Sequence, residues 1–91
     1  QLDKAISLFN ESIKKFPDCI EAYLNLANVL VAKGRNDTAK KFLKKAIELN
    51  PKFLKAYSML AGILVGEGNL KKAEFFLNNL VRFLNLLIVL Q

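Results

Sequence analysis

Apolar residues recur along the chain at steps of three and four, the spacing of an amphipathic helix. The first stripe, which includes Ile6, Phe9 and Ile13, predicts a helix over about Leu2–Lys15 that ends before Pro17. The same spacing predicts four further helices, over about 20–33, from about 36 to 49, over about 54–66 and from 70 onward. The pattern therefore predicts an all-α chain of about five helices.

Residues with special backbone or capping properties separate these helices. Gly34 can adopt the left-handed conformation that ends a helix, and Gly68-Asn69 occupies the corresponding place later in the chain. Asn36 or Asp37 can cap the third helix through a side-chain oxygen. We therefore expect short, tight turns between neighbouring helices.

The chain also repeats itself with a period of 34 residues. Residues 20–53 and 54–87 are identical at ten aligned positions, which include the pairs Tyr23 and Tyr57, and Gly34 and Gly68. A period of this length is typical of helical solenoids.

The repeated residues resemble those of the tetratricopeptide repeat, a helix-turn-helix unit of this length. The first helix of that unit has an aromatic, a leucine and a small residue, and its second has alanine, an aromatic or large apolar residue, a small residue and a closing proline. The matching residues are Tyr23, Leu26, Ala27, Gly34, Ala39, Phe42, Ala46 and Pro51, with Tyr57, Leu60, Ala61, Gly68 and Ala73 in the next repeat and Ala5, Leu8, Ser12 and Pro17 in the preceding half-repeat.

The resemblance implies an all-α, right-handed superhelix of antiparallel helix pairs in a single domain over 1–91. Residues 1–19 would be the second half of a repeat, 20–53 a full repeat, 54–87 a full repeat with an extended last helix, and 88–91 a tail. Because the first of these segments lacks its other half, we expect a fragment of a longer array. Asn85 replaces the expected closing proline, so the fifth helix can continue to Leu90.

Composition argues against catalysis. The chain has no histidine and one cysteine, Cys19, so it lacks the usual general base, Ser-His and Cys-His pairs and a disulfide framework. No glycine-rich phosphate loop is present. We expect no enzyme activity, no cofactor and no metal site.

The resemblance implies a scaffold or adaptor that binds a peptide or partner helix in a concave groove lined by the first helix of each repeat. The candidate groove residues are Glu21, Leu24, Asn25, Asn28, Lys55, Ser58, Met59 and Gly62. Asn25 and Asn28 can present amide groups to a peptide backbone. Asn25 and Lys55 also match two positions of the carboxylate clamp of some members, but Met59 replaces the clamp's arginine, so we do not expect a complete clamp.

Self-association is the alternative function, because the fifth helix is apolar around most of its circumference and a helix of that kind needs cover. Leu70, Ala73, Leu77, Leu80, Leu84 and Leu87 form one heptad-like seam, and Phe76, Phe83 and Leu90 form a second row. The candidate self-association residues are Leu77, Leu80, Phe83, Leu84, Leu87 and Leu90. The apolar stripe of the first helix offers a head-to-tail alternative.

Two other partners are disfavoured. A membrane anchor needs about twenty apolar residues, whereas 75–90 is shorter and contains Arg82 and three asparagines. The net charge of +6 makes nucleic-acid binding a further hypothesis. The densest basic cluster consists of Lys40, Lys41, Lys44 and Lys45. Lysines on the outer face of a helix usually serve solvation, and no interleaved aromatic residues accompany them. The compartment stays open, with the cytoplasm favoured.

Overall fold

The computed structural model describes residues 1–90 and confirms the predicted all-α fold. Its helices are α1 (Leu2–Lys15), α2 (Ile20–Ala32), α3 (Asn36–Leu49), α4 (Leu54–Gly66) and α5 (Leu70–Leu90). The bounds of α1, α2 and α4 agree with the prediction to within one residue. Helix α3 begins at Asn36, before the start that a cap at Asn36 or Asp37 predicts, and α5 runs from Leu70 past Asn85 to Leu90. The stretches between consecutive helices are three to four residues long, within the usual range for helix–helix connections.

The helices form two compact units. The first comprises Gln1–Pro51, in which α2 packs against both α1 and α3. The second comprises the described residues from Lys52 onward, in which α4 packs against α5. The division lies two residues before the predicted repeat boundary between Phe53 and Leu54.

The same turn joins the two helices of each repeat. Gly34 has a φ of 82° and Gly68 a φ of 77°, as predicted for left-handed C-caps. Arg35 N–H donates to the Leu30 carbonyl at 2.8 Å, and Asn69 N–H donates to the Leu64 carbonyl at 2.9 Å. These bonds, with those from the glycine N–H groups to the Val31 and Val65 carbonyls, make both turns Schellman motifs.

Small residues allow the helices to approach closely. Ala27 and Ala39 are fully buried in the first unit, and Ala61 and Ala73 are buried in the second. Aromatic rings meet beside these contacts: the ring centroids of Tyr23 and Phe42 are 6.1 Å apart. The core is thus built from alanines where helices approach and from rings and leucines between them.

Two polar contacts join α1 and α2 in the first unit. The Tyr23 hydroxyl donates to the Pro17 carbonyl at 2.8 Å, which ties α2 to the turn that follows α1. Lys33, just after α2, forms an ion pair with Asp3 at the start of α1. Both contacts hold α1 against α2, which matters because α1 itself has no buried residue.

The predicted cap of α3 is wrong. Asn36 is already the first residue of the helix, and its N-cap, Arg35, makes no side-chain capping bond. Asp37 instead lies 3.4 Å from the ammonium of Lys40, one turn further along the helix. At the start of α5, Asn69 Oδ1 accepts from the Lys72 N–H at 3.4 Å, so Asn69 caps this helix.

Candidate functional site

The first predicted surface lies on α2 within the first unit. Glu21, Asn25 and Asn28 are exposed, and their spacing of four and three residues places them on one polar strip along an otherwise apolar helix. Leu24 is only 1% exposed, so the prediction that it contributes to an accessible surface is wrong. It is buried because α2 is covered on two sides, by α1 and by α3.

The corresponding strip of the second unit lies on α4. Lys55, Ser58 and Gly62 are exposed, and Met59 is half-buried. A Cβ atom built at Gly62 would meet no atom within 4 Å, so the surface at this point is open. Lys55 is the charged member of the strip, whereas the strip on α2 carries Glu21 at the equivalent place.

The second predicted surface lies on α5. Ten of the fifteen exposed large apolar side chains within residues 1–90 belong to this helix. Of the predicted self-association residues, Leu77, Leu84, Leu87 and Leu90 are exposed, while Leu80 and Phe83 are half-buried. Five exposed apolar residues of α5 belong to neither predicted row: Phe75, Val81, Leu86, Ile88 and Val89.

Tyr57 decides which row of α5 faces inward. Its ring centroid is 6.1 Å from that of Phe76 and 5.9 Å from that of Phe83, two residues seven apart on α5. The predicted seam therefore has mixed exposure, because Ala73 is 1% exposed and Leu80 is partly covered.

The C-terminal part of α5 extends beyond α4, against which it packs. Since α4 has 13 residues and α5 has 21, about eight residues, or about 12 Å of helix, extend beyond the start of α4. A cavity of about 200 Å³ lies in the corner formed there, lined by Lys52, Leu54, Phe83, Leu86, Leu87 and Leu90. Its lining is almost wholly apolar.

By length and composition, α5 is the single helix within residues 1–90 that qualifies as a membrane span. Its best window of 18 residues has a mean hydropathy of 1.5, and 6% of that window is buried. The sequence-based prediction that this part of the chain is too short for a span applies to 75–90 alone. The helix begins at Leu70 and is therefore longer than that range.

The basic cluster on α3 is partly neutralised by its own helix. Lys40 lies 3.4 Å from Asp37, and Lys45 lies 3.8 Å from Glu48. Lys41 and Lys44 are exposed. Pairing between charges on one helix face is typical of a solvated surface.

Residues that would support chemistry are sparse. Cys19 is a free, exposed thiol at the N-cap of α2. Within residues 1–90, no group of three or more His, Cys, Asp or Glu side chains is arranged to hold a metal ion. The surfaces on α2, α4 and α5 remain the candidate sites.

Fold and surfaces together define a helical-repeat protein that presents open helix faces. A sequence model of the tetratricopeptide repeat matches residues 1–46 and 30–84, and the chain belongs to this family. Repeats of this family generally mediate protein–protein interaction and act as non-catalytic scaffolds.

Solved structures share the fold. One described as the crystal structure of MamA is 23% identical and has a TM-score of 0.89, with 92% of this chain and 49% of that chain covered. A double mutant described as MamA RS-1 ArsTM is 18% identical and has a TM-score of 0.88, with 93% and 48% covered. The chain thus spans about half the length of these structures. No curated protein sequence matches it.

Proposed function

We propose that this chain is a protein-interaction module that associates with a second copy of itself through α5. The exposed apolar surface of α5 carries the proposal. Leu84, Leu87 and Leu90 are each about half exposed or more, and the last eight residues of the helix contain a single polar residue, Asn85. An apolar patch of this extent on a helix end is typical of an interface.

The distribution of charge along the chain favours a second copy over a charged partner. The chain carries 14 Lys and Arg against 8 Asp and Glu. None of these charges lies in 83–90, so a contact between two such segments brings no like charges together. Apolar contact between identical surfaces also satisfies both copies at once, as in two-fold dimers.

The mass in solution as a function of chain concentration tests this proposal. Sedimentation equilibrium should give a mass that rises from 10.3 kDa toward twice that value as the concentration increases. Leu84→Lys combined with Leu87→Lys should hold the mass at the monomer value, because a lysine ammonium is costly to desolvate at an apolar contact. Circular dichroism of each variant checks that the helices are retained.

A matched control uses two exposed apolar residues outside α5. Leu8→Lys combined with Phe16→Lys alters the first unit, where both side chains are exposed, and should leave the association unchanged. A wild-type chain that stays monomeric at millimolar concentration would refute self-association. Loss of association in the control pair as well would indicate head-to-tail contact between α1 and α5.

The polar strip on α2 supports a second candidate function, the binding of an extended peptide. Asn25 and Asn28 each offer a donor and an acceptor that match a peptide backbone, and both are exposed. The acidic Glu21 on the same strip favours a peptide with a basic residue at one end. Lys55, Ser58, Met59 and Gly62 are the candidate contacts on α4.

Peptides selected from a display library on the wild-type chain test this second candidate. Asn25→Ala with Asn28→Ala should weaken a selected peptide about tenfold, since two hydrogen bonds contribute about 1–3 kcal/mol. Asn10→Ala, an exposed asparagine on α1, is the control. Equal affinities for both variants would remove the α2 strip from the site.

A further inference from the structure

An apolar seam that differs from the row predicted from the sequence runs along α5, on a face that the second unit leaves open. It consists of Leu77, Val81, Leu84 and Ile88, which are 42%, 51%, 45% and 69% exposed. These residues follow one another at steps of four, three and four, which keeps them on one side of a helix. At about 100° per residue, the seam lies about 120° around the helix from the row of Phe76 and Phe83 that packs on Tyr57.

The residue types along the seam alternate in a regular way. Leu77 and Leu84 are leucines, while Val81 and Ile88 are β-branched. In the heptad notation of coiled coils, the β-branched residues occupy position a and the leucines position d. This arrangement favours two parallel strands over three or four.

The flanks of the seam permit close approach. Asn78 and Asn85 border it on one side, and Leu80 and Leu87 border it on the other. Arg82 lies about 100° from Val81 around the helix, and Glu74 lies one turn before Leu77, at the heptad position that precedes the seam. Two copies of α5 can therefore meet from Leu77 to Ile88 without a charged residue in the contact.

We infer that a second copy of this chain binds along the seam, with the two α5 helices parallel and in register so that each Ile88 faces the other. This inference rests on the proposed self-association and specifies its geometry. The four seam residues and the flanking Leu87 are each 42–69% exposed, so a second copy can cover apolar surface that the second unit leaves open.

A lipid bilayer is the competing occupant of the seam, since α5 is long enough to span one. Full insertion would place Asn78, Asn79, Arg82 and Asn85 in hydrocarbon, where charged and polar side chains are costly. A helix dimer leaves Asn78 and Asn85 at its margin and Asn79 and Arg82 outside the contact. The composition of α5 therefore favours the second copy.

Site-specific disulfide formation tests register and direction. In a Cys19→Ser background, Ile88→Cys should form a cross-linked dimer under mild oxidation, because a parallel pair brings the two copies of residue 88 within disulfide reach. Val89→Cys, the exposed neighbour about 100° around the helix, should cross-link at least about tenfold more slowly. An antiparallel pair would instead link Ile88→Cys to Leu77→Cys in a mixture of the two variants.

Single lysine substitutions provide a second measurement that does not need a disulfide. Leu84→Lys, on the seam, should weaken the dimer Kd at least about tenfold, because each dimer then buries two ammonium groups. Leu86→Lys, at a more exposed position off the seam, should change the Kd by less than about twofold. Helicity is measured for both variants.

The outcomes separate this inference from the proposed function. A dimer that tolerates Leu84→Lys, or that cross-links equally at 88 and 89, overturns the seam while self-association stands. A chain that remains monomeric refutes both. Flotation of the chain with phosphatidylcholine–phosphatidylserine vesicles, without cross-linking at 88, would overturn the seam in favour of the bilayer.

Discussion

The same substitution, glycine to alanine, should have opposite effects at two sites six residues apart in the second unit. Gly68 has a φ of 77°, a conformation that costs a residue with a Cβ about 1–2 kcal/mol. Gly62 lies inside α4, where alanine is favoured over glycine by about 1 kcal/mol. A Cβ atom at either site would meet no atom within 4 Å, so packing contributes to neither value.

Gly68→Ala should therefore destabilise the chain by about 1–2 kcal/mol, and Gly62→Ala should stabilise it by up to about 1 kcal/mol. For a domain of this size, 1 kcal/mol shifts the Tm by about 4–8 °C, so the two variants should melt at least about 4 °C apart. Thermal and urea unfolding followed by circular dichroism measure the difference, at one fixed chain concentration because association also raises the Tm.

Two further variants sharpen this comparison. Gly34→Ala should repeat the loss seen at Gly68, because φ at Gly34 is 82°. Gly68→Asn should lose less than Gly68→Ala, since asparagine tolerates the left-handed conformation better than alanine. A shift of the same sign for Gly62→Ala and Gly68→Ala would refute the assignment of the Gly68 turn as a left-handed cap.

The remaining predictions concern the first unit. Tyr23→Phe should cost about 0.5–1.5 kcal/mol of unfolding free energy, measured from urea midpoints, because it removes the hydrogen bond of 2.8 Å to the Pro17 carbonyl; an unchanged midpoint would contradict that bond. Ala27→Leu should cost about 1–3 kcal/mol, since Ala27 is fully buried. Its control, Ala32→Leu at an exposed site of the same helix, should change stability by less than about 0.5 kcal/mol.

Helix bounds could be predicted from the sequence because their signals are local. Gly34 and Gly68 lie next to the helices they end, and Pro17 excludes helix from its own surroundings. The extension of α5 follows from Asn85, which replaces a proline with a residue that a helix accepts. The cap of α3 was harder to predict, because Asn36 and Asp37 are both suitable and the chain uses neither.

The exposure of single residues depends on how many neighbours a helix has, which periodicity does not give. On α2 the spacing of apolar residues predicts one buried stripe, but α2 packs against both α1 and α3. Leu24 is therefore buried although it lies outside the predicted stripe. Asn25 and Asn28, on the side that neither neighbour covers, are exposed as the pattern predicts.

Neither of the two rows predicted for α5 contains Val81 or Ile88, because most of the helix circumference is apolar and spacing alone does not reveal which residues pack within the chain. A residue of α4 determines which side of α5 packs inward, because the ring of Tyr57 lies against Phe76 and Phe83. Once those two residues face inward, helix geometry turns Leu77, Val81, Leu84 and Ile88 away from α4. The outward row is also the one that alternates leucine with β-branched residues. A residue that packs the second unit thus determines which surface of α5 that unit leaves exposed.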